Sequence, residues 1–342
     1  MSLAKIGLHV LRNGVKPADL ATAPVLCLVD CSTEYINEVR AANPGAWIVV
    51  RWVVPNQDAY LKDPEAGARR WFAEHEADIR ATMGPCTVYQ GLNEIGDKQA
   101  GLYARFEHER AGLLWGISAG LGLGSWSVGC PDWHVWGMFG DTLDRMDADD
   151  AVLIHEYWAD PGDFGRPWYV GRWKDERVQA HIAGLPVIVT EIGRDAIWEA
   201  NFRRGQPGWR RTIGADAFLM EVARYNALLE SDPDVIGGCL FTGGVLGEWK
   251  DFDANQLWPR IAATQERREP VTVEPLPEHE TARDPETLAE KCRWWLEEEQ
   301  RQREAGNATR ADAIRLGLIQ LLYRLERTLK GFADMWRPPQ SE

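Results

Sequence analysis

Glu94 and Glu191 occupy matching positions in two strand-like runs. The first reads Thr87-Val88-Tyr89-Gln90-Gly91-Leu92-Asn93-Glu94-Ile95-Gly96, the second Pro186-Val187-Ile188-Val189-Thr190-Glu191-Ile192-Gly193. Short β-branched runs of this kind form buried strands, so both carboxylates fall at strand carboxyl ends, where α/β proteins keep their chemistry. For Asn93-Glu94 alone, a helix N-terminus capped by acids is the competing reading. Two carboxylates brought face to face can divide a reaction. One protonates a leaving oxygen; the other attacks a carbon or activates a water, which is what cleavage of a glycosidic bond needs. A separation of about 5–5.5 Å goes with retention of configuration, and about 6.5–9.5 Å with inversion.

A third run ends His155-Glu156-Tyr157-Trp158. Alternate residues of a strand share a face, so His155 and Tyr157 point together. Aimed into the same mouth, they can hydrogen-bond the two carboxylates and hold their protonation states apart. His155, Glu156 and Asp160 can be drawn as metal ligands, but His155 and Glu156 face opposite ways in a strand. No metal and no cofactor is expected. The chain holds 17 tryptophans. Trp52, Trp126, Trp133, Trp136, Trp158, Trp168, Trp198, Trp209 and Trp249 flank the candidate strands. Their flat faces could stack on sugar rings, or pack in the core and rim. Trp158, next to His155 and Tyr157, is counted with the substrate-supporting group. The loops Ala159–Trp173 and Arg194–Thr212, carrying Trp168, Tyr169, Trp198 and Trp209, are expected to wall a cleft.

The elements that must position these residues alternate along the chain. Apolar runs at Lys5–Leu11, Val25–Asp30, Trp47–Val53, Thr87–Leu92, Leu121–Val128, Ala151–Trp158, Pro186–Ile192 and Val235–Thr242 read as parallel strands. Helical spacing marks Pro64–Met83 (Ala68, Trp71, Phe72, Ile79), Gln99–Ala119, Val135–Met146, Lys174–Ala183 and Ile213–Leu229. Eight such units predict an α/β fold, a (β/α)8 TIM barrel over residues 1–268. A doubly wound open sheet would carry a glycine-rich phosphate turn after its first strand; His9–Gly14 has none. Residues 269–284 read as a charged, proline-containing linker, and 285–336 as a C-terminal helical hairpin. The hairpin either packs on the barrel or pairs with a second copy, so self-association through it is expected as one outcome.

Bulk properties narrow the function classes. The 342 residues are 45% hydrophobic and 26% charged, as in a globular protein. The net charge of −14 argues against nucleic acid as the main ligand. No run reaches the length of a membrane span. The six cysteines form no CxxC pair and read as free thiols. The opening MSLAKIGLHVLRNG lacks the apolar stretch of a signal peptide, which makes the cytoplasm the default location.

Taken in order, Asn93-Glu94 after strand four, His155-x-Tyr157 at strand six and Glu191 within Thr190-Glu191-Ile192-Gly193 after strand seven resemble the large clan of retaining (β/α)8 glycoside hydrolases. That clan includes cellulases, β-mannanases, β-galactanases and β-glucosidases. The resemblance covers residues 4 to 268 and not the tail. It implies Glu94 as general acid/base and Glu191 as nucleophile. It implies Asn93 on the sugar 2-hydroxyl, Tyr157 on the nucleophile and His155 in the network around the acid/base. Two departures stand out. The clan commonly has an arginine near the end of strand two that supports the nucleophile; here strand two ends Val29-Asp30-Cys31-Ser32, and Arg51 in strand three must reach across or form a rim salt bridge. The clan also often has a tryptophan after strand eight as a sugar platform; here Phe241 or Trp249 must serve. His9, ending strand one, lines the floor or lies in the core. The reading is a hydrolase degrading β-linked oligo- or polysaccharide. A sugar-binding barrel without turnover and a phage- or prophage-type hydrolase of cell-wall glycan are the alternatives.

Overall fold

Eight strands close into a parallel barrel in the computed structural model, which describes residues 3–195, 208–265 and 300. They are β1 (Ile6–Leu11), β2 (Val25–Val29), β3 (Trp47–Arg51), β4 (Thr87–Gln90), β5 (Gly120–Trp126), β6 (Ala151–Trp158), β7 (Val187–Arg194) and β8 (Val235–Gly244). Each pairs with its neighbours in sequence, and β1 pairs with β8. All eight runs expected to be strands are strands, with ends displaced by a few residues. The barrel is therefore the (β/α)8 fold that the alternation of elements predicts.

Both faces of each strand are buried, which is why the runs are nearly continuous in apolar residues. Val25, Cys27, Val29, Val49, Val88, Leu153, Ile188 and Cys239 form one cluster, filling the barrel. The intervening residues, such as Leu26, Leu28, Ile48, Val50 and Ile154, belong to the larger cluster beneath the helices. Cys27, Cys31 and Cys239 are buried, and with Cys86 and Cys130 they are free thiols.

The outer layer follows local signals. Helix Pro64–Thr82 starts at Asp63, whose side chain accepts from Ala66 N, with proline in the first turn; Ala68, Trp71 and Ile79 are buried. Helices Ala100–Trp115, Glu176–Ile182 and Ala215–Glu230 lie where helical spacing puts them. Helix Thr33–Ala42 follows β2, started by Ser32 capping Tyr35 N. The single helix expected over Val135–Met146 is instead a 3₁₀ segment, Trp133–Phe139, followed by a short helix, Gly140–Leu143. Gly137 and Gly140 lie inside that stretch and weaken a continuous α-helix.

The chain divides into two units, Met1–Val271 and Thr272–Glu342. The linker 269–284 and the hairpin 285–336 lie outside the described residues, apart from Gln300, which is helical and exposed. Among the described residues, no helix is long and apolar enough to cross a membrane.

Candidate active site

The barrel's register aims Glu191. Ile154 pairs with Val189, and the next residue, His155, pairs with Glu191, so Thr190 is the extra residue of a β-bulge. A bulge re-aims the side chain that follows it. Thr190 Oγ1 donates to Ile154 O at 3.3 Å, and the Glu191 carboxylate turns into the mouth at 8% exposure. Arg51 Nη1 donates to Glu191 Oε1 at 3.0 Å, and Tyr157 Oη donates to Oε2 at 2.9 Å. His9 Nε2 lies 3.7 Å from Oε1, and His155 Nδ1 lies 3.6 Å from Oε2.

Glu94 is held differently. It follows β4 with φ of +53°, in the left-handed region that costs a non-glycine residue about 1–3 kcal/mol. Its backbone N donates to Ser125 O at 3.0 Å, and Ser125 itself has φ of +70°. The Glu94 side chain is 44% exposed. His155 Nδ1 is 3.0 Å from Glu94 Oε1, so one imidazole nitrogen stands between the two carboxylates. One oxygen of Glu94, one nitrogen of His155 and one oxygen of Glu191 all lie within 4.8 Å of one another.

A network behind this trio fixes the neighbouring groups. His155 Nε2 is 2.7 Å from Ser125 Oγ, which lies 3.3 Å from Asn93 Oδ1 and 3.2 Å from Thr190 Oγ1. Asn93 Oδ1 also accepts from Gln90 Nε2 at 2.9 Å. Gln57 clamps the Asn93 backbone, with Oε1 accepting from Asn93 N and Nε2 donating to Asn93 O. With its oxygen occupied from behind, Asn93 keeps its amide N–H groups for the mouth that it lines. His9 is buried, as a core histidine would be, yet its Nε2 has no hydrogen-bond partner and faces Glu191; Nδ1 pairs with Thr242 Oγ1 at 2.8 Å.

Electrostatics separate the groups. Burial alone pushes the Glu191 carboxyl up. The fields of His155, His9 and Arg51 and the Tyr157 hydrogen bond outweigh it and bring the pKa down to about 2. Burial lowers His9 to about 3, so His9 is neutral near pH 7, and Arg51 supplies the permanent charge that keeps Glu191 ionised. Burial, then the adjacent Glu191 charge, pushes the Tyr157 phenol well above its ordinary value, so it stays a donor.

A cleft of about 750 Å³ opens over these groups. Phe241 and Trp249 line it on the β8 side, with ring centroids 5.2 Å apart and nearly perpendicular. Trp168 and Tyr169 line it on the β6 side. Arg51 therefore reaches the Glu191 carboxylate from β3 and is no rim salt bridge.

Trp158 is among the residues that line the cleft, but strand alternation, which turns His155 and Tyr157 inward, turns the side chains of Glu156 and Trp158 outward. The Trp158 indole is buried against Phe218 and Tyr225, and Nε1 donates to Glu221 at 2.8 Å. Trp209 is no cleft wall; it is buried and stacked on Phe218 at 5.3 Å. Trp198 lies outside the described residues. Ser125, Gln57 and Gln90 carry no sequence signal, because their roles depend on which strands the closed barrel sets side by side.

Glu94, His155 and Glu191 form a donor set of the kind that can hold a metal ion. Glu191 already has Arg51 on one oxygen and Tyr157 on the other, and a guanidinium 3.0 Å from Oε1 repels a second cation. Glu156 is not a partner in any such set. Its oxygens accept from the backbone N of Gly171 and Arg172 and from Tyr225 Oη, away from the mouth.

Glu94 and Glu191 thus face one another at the carboxyl-end mouth of a (β/α)8 barrel. No protein-family model matches the chain, and no curated protein sequence does. Among solved structures, the chain is similar to the catalytic domain of endoglucanase Cel5A (E5) from Thermobifida fusca, solved with cellotetraose. The identity is 12%, the match covers 70% of this chain and 79% of that one, and the TM-score is 0.42. It is also similar to Gas2p of Saccharomyces cerevisiae, solved with laminaritetraose and laminaripentaose. There the identity is 11%, the coverage 74% of this chain and 57% of that one, and the TM-score 0.42.

Proposed function

We propose that the chain is a retaining glycoside hydrolase acting on β-linked oligo- or polysaccharide, with Glu94 as general acid/base and Glu191 as nucleophile. The observation that carries this reading is the approach of the two carboxylates to within 4.8 Å at the mouth of the cleft. An approach this close of the nearest oxygens is nearer to the direct-attack spacing of about 5–5.5 Å than to the about 6.5–9.5 Å of an inverting pair.

The protonation pattern supports the division of roles. Glu191, ionised and anchored by Arg51 and Tyr157, attacks the anomeric carbon. His155 Nδ1 lies 3.0 Å from Glu94 Oε1 and 3.6 Å from Glu191 Oε2, so one ring couples the two carboxyls, and as the general acid Glu94 enters the reaction carrying the proton. Glu94 gives that proton to the leaving oxygen as the C–O bond breaks and the Glu191 ester forms. It then takes a proton from the water that cleaves the ester, which restores both groups. Asn93 presents its amide to a hydroxyl beside the reacting carbon. The more exposed Glu94 beside the Arg51-paired Glu191 favours this reading over a sugar-binding barrel without turnover, since the two together supply the acid and the nucleophile that cleavage needs.

The test is a screen of aryl β-glycosides, β-glucans, mannan, galactan, xylan and purified peptidoglycan, with the first-formed anomer read by NMR. Retention is expected, and Glu191→Ala should lose about 10⁴-fold or more of the activity. Inversion, or a Glu191→Ala variant that turns over like the parent, would overturn the reading.

A further inference from the structure

The tryptophan at position 168 is 43% exposed, unlike Trp126, Trp136, Trp158 and Trp173, which are buried. Its position is nonetheless fixed. A Cβ built on Gly129 would fall 2.5 Å from Cε2 of the ring and 2.7 Å from both Nε1 and Cζ2. The fused atom is nearest and its two neighbours are equidistant, so Gly129 lies against the face of the indole. Only glycine fits there, at φ of +77° and with no space for a side chain. The ring also packs edge-on against Trp133 at 6.3 Å. Trp133 is in turn covered by the guanidinium of Arg172 at 4.0 Å and that of Arg177 at 3.8 Å. From the barrel side, Glu156 holds the backbone N of Gly171 and Arg172, which fixes the end of the same loop. The Arg172 guanidinium also lies over the Trp168 ring, 5.4 Å from its centroid, and an indole held this way by Gly129, Trp133 and Arg172 while its exposed part lines the cleft is a platform for a flat ligand.

Resting on the hydrolase reading, we propose that Trp168 on Gly129 is the platform for the sugar on the leaving-group side of the scissile bond. The ring order decides the side. Strands β5 and β6 lie between β4, with Glu94, and β7, with Glu191; β8, β1, β2 and β3 lie on the other side. Glu191 is shielded by His9 and Arg51 from β1 and β3, so the attacked ring sits over those strands and Phe241. Glu94 is the open carboxylate, and the lining beyond it comes from Ser127, Val128 and Trp168, on the β5 and β6 side. A sugar leaving from Glu94 passes onto that indole. The ligand is therefore a saccharide extending past the cleaved bond, and the enzyme acts within or beside a chain of sugars.

Two substrates sharing one glycone test this. A disaccharide β-fluoride has a leaving atom that reaches nothing beyond Glu94, whereas the matching tetrasaccharide fills the leaving-group side. Trp168→Ala and Gly129→Ala, the second displacing the ring without removing it, should each lower the ratio of kcat/KM for tetrasaccharide over fluoride by about five- to tenfold, as loss of an aromatic contact does. The loss should fall on KM. An unchanged ratio in both variants, or equal losses on the two substrates, overturns the platform while leaving the hydrolase reading intact. A wild type that cleaves neither substrate overturns the hydrolase reading. In that case, tryptophan-fluorescence titration of Glu191→Gln with cellotetraose, laminaritetraose and mannotetraose decides the platform. Quenching abolished by Trp168→Ala supports it, and no quenching by any of the three overturns it.

Discussion

Arg51 donates to Glu191 across the barrel, Nη1 to Oε1 at 3.0 Å, from a strand that is not adjacent to the one bearing the carboxylate. Both side chains are largely shielded, 14% and 10% exposed, so the pair is poorly screened by water. Arg51→Met removes the permanent charge and leaves Glu191 with Tyr157 and two histidines. A preorganised charge of this kind is worth about 10²–10³-fold in rate, about 3–4 kcal/mol. The expected result is a fall of that order in kcat, with Arg51→Lys recovering part of it. The pH profile checks the cause. Glu191 must be ionised to attack, and its pKa of about 2 is held down in part by Arg51. In Arg51→Met the pKa rises, and the acid limb of kcat/KM moves to higher pH. A fall in rate with an unmoved acid limb would assign Arg51 a packing role only.

Glu94 and Glu191 differ in exposure, 44% against 10% for the side chains, and this difference separates their variants experimentally. Glu94→Gln removes the proposed proton donor but leaves Glu191, the proposed nucleophile, and its anchors in place. Substrates with poor leaving groups should lose about 10²–10⁴-fold, the range of general acid catalysis. A 2,4-dinitrophenyl glycoside, which departs without a proton, should still form the ester and give a burst followed by slow turnover. Glu191→Gln should show no burst with any leaving group. A burst in the second variant and none in the first would exchange the roles.

Much of this site is legible in the chain because a strand repeats every two residues. His155 and Tyr157 must share a face, and the runs ending near Glu94 and Glu191 must deliver carboxylates to one rim once the barrel closes. The same rule puts the Trp158 side chain on the outer face, although the residue itself borders the cleft. Thr190 is a different matter. Its place as the extra residue of a bulge depends on the pairing of β6 with β7, and without the bulge Glu191 would point the other way. The left-handed backbone of Glu94 and Ser125 has no sequence mark, since neither residue is glycine. The reach of Arg51 depends on barrel curvature rather than on any motif. Bulk composition bore on the class of ligand and on nothing more local.

Trp158 and Trp249 give opposite expectations from the same residue type. Trp158 is 1% exposed, stacked on Tyr225 at 5.2 Å and bonded to Glu221 beneath helix Ala215–Glu230. Trp158→Ala should cost about 3–5 kcal/mol of stability, read by denaturant unfolding, as large core truncations do. Its KM should be close to the parent's under conditions where the variant stays folded. Trp249 lines the cleft against Phe241. Trp249 is half-buried on Phe241 and Phe252, so Trp249→Ala should cost less stability than Trp158→Ala and raise KM for the substrate. The reverse pattern would return the Trp158 ring to the cleft and move Trp249 to the core.

Glu156 makes the stability depend on pH in a direction opposite to that of Glu191. Its carboxyl is buried, and burial raises its pKa to about 7 in spite of donors from Gly171, Tyr225 and Arg172. In the unfolded chain a glutamate titrates at about 4.3. Between those values the folded protein holds a proton that the unfolded chain has released, so stability falls as pH rises through the window and levels off above it. Glu191, with its pKa lowered to about 2, contributes stability above pH 4 that is lost only as pH falls toward 2. Asp150, raised to about 6 by burial, adds a slope of the same sign as Glu156. The difference between wild type and Glu156→Gln isolates the one residue. The glutamine oxygen can still accept from the Gly171 and Arg172 amides, and the amide cannot ionise. Chemical unfolding at pH 5, 6, 7 and 8 should show the variant gaining on the wild type from pH 5 to 7 and running parallel above. Curves parallel over the whole range would mean that Glu156 stays ionised in the folded protein, held there by its three donors against the cost of burial.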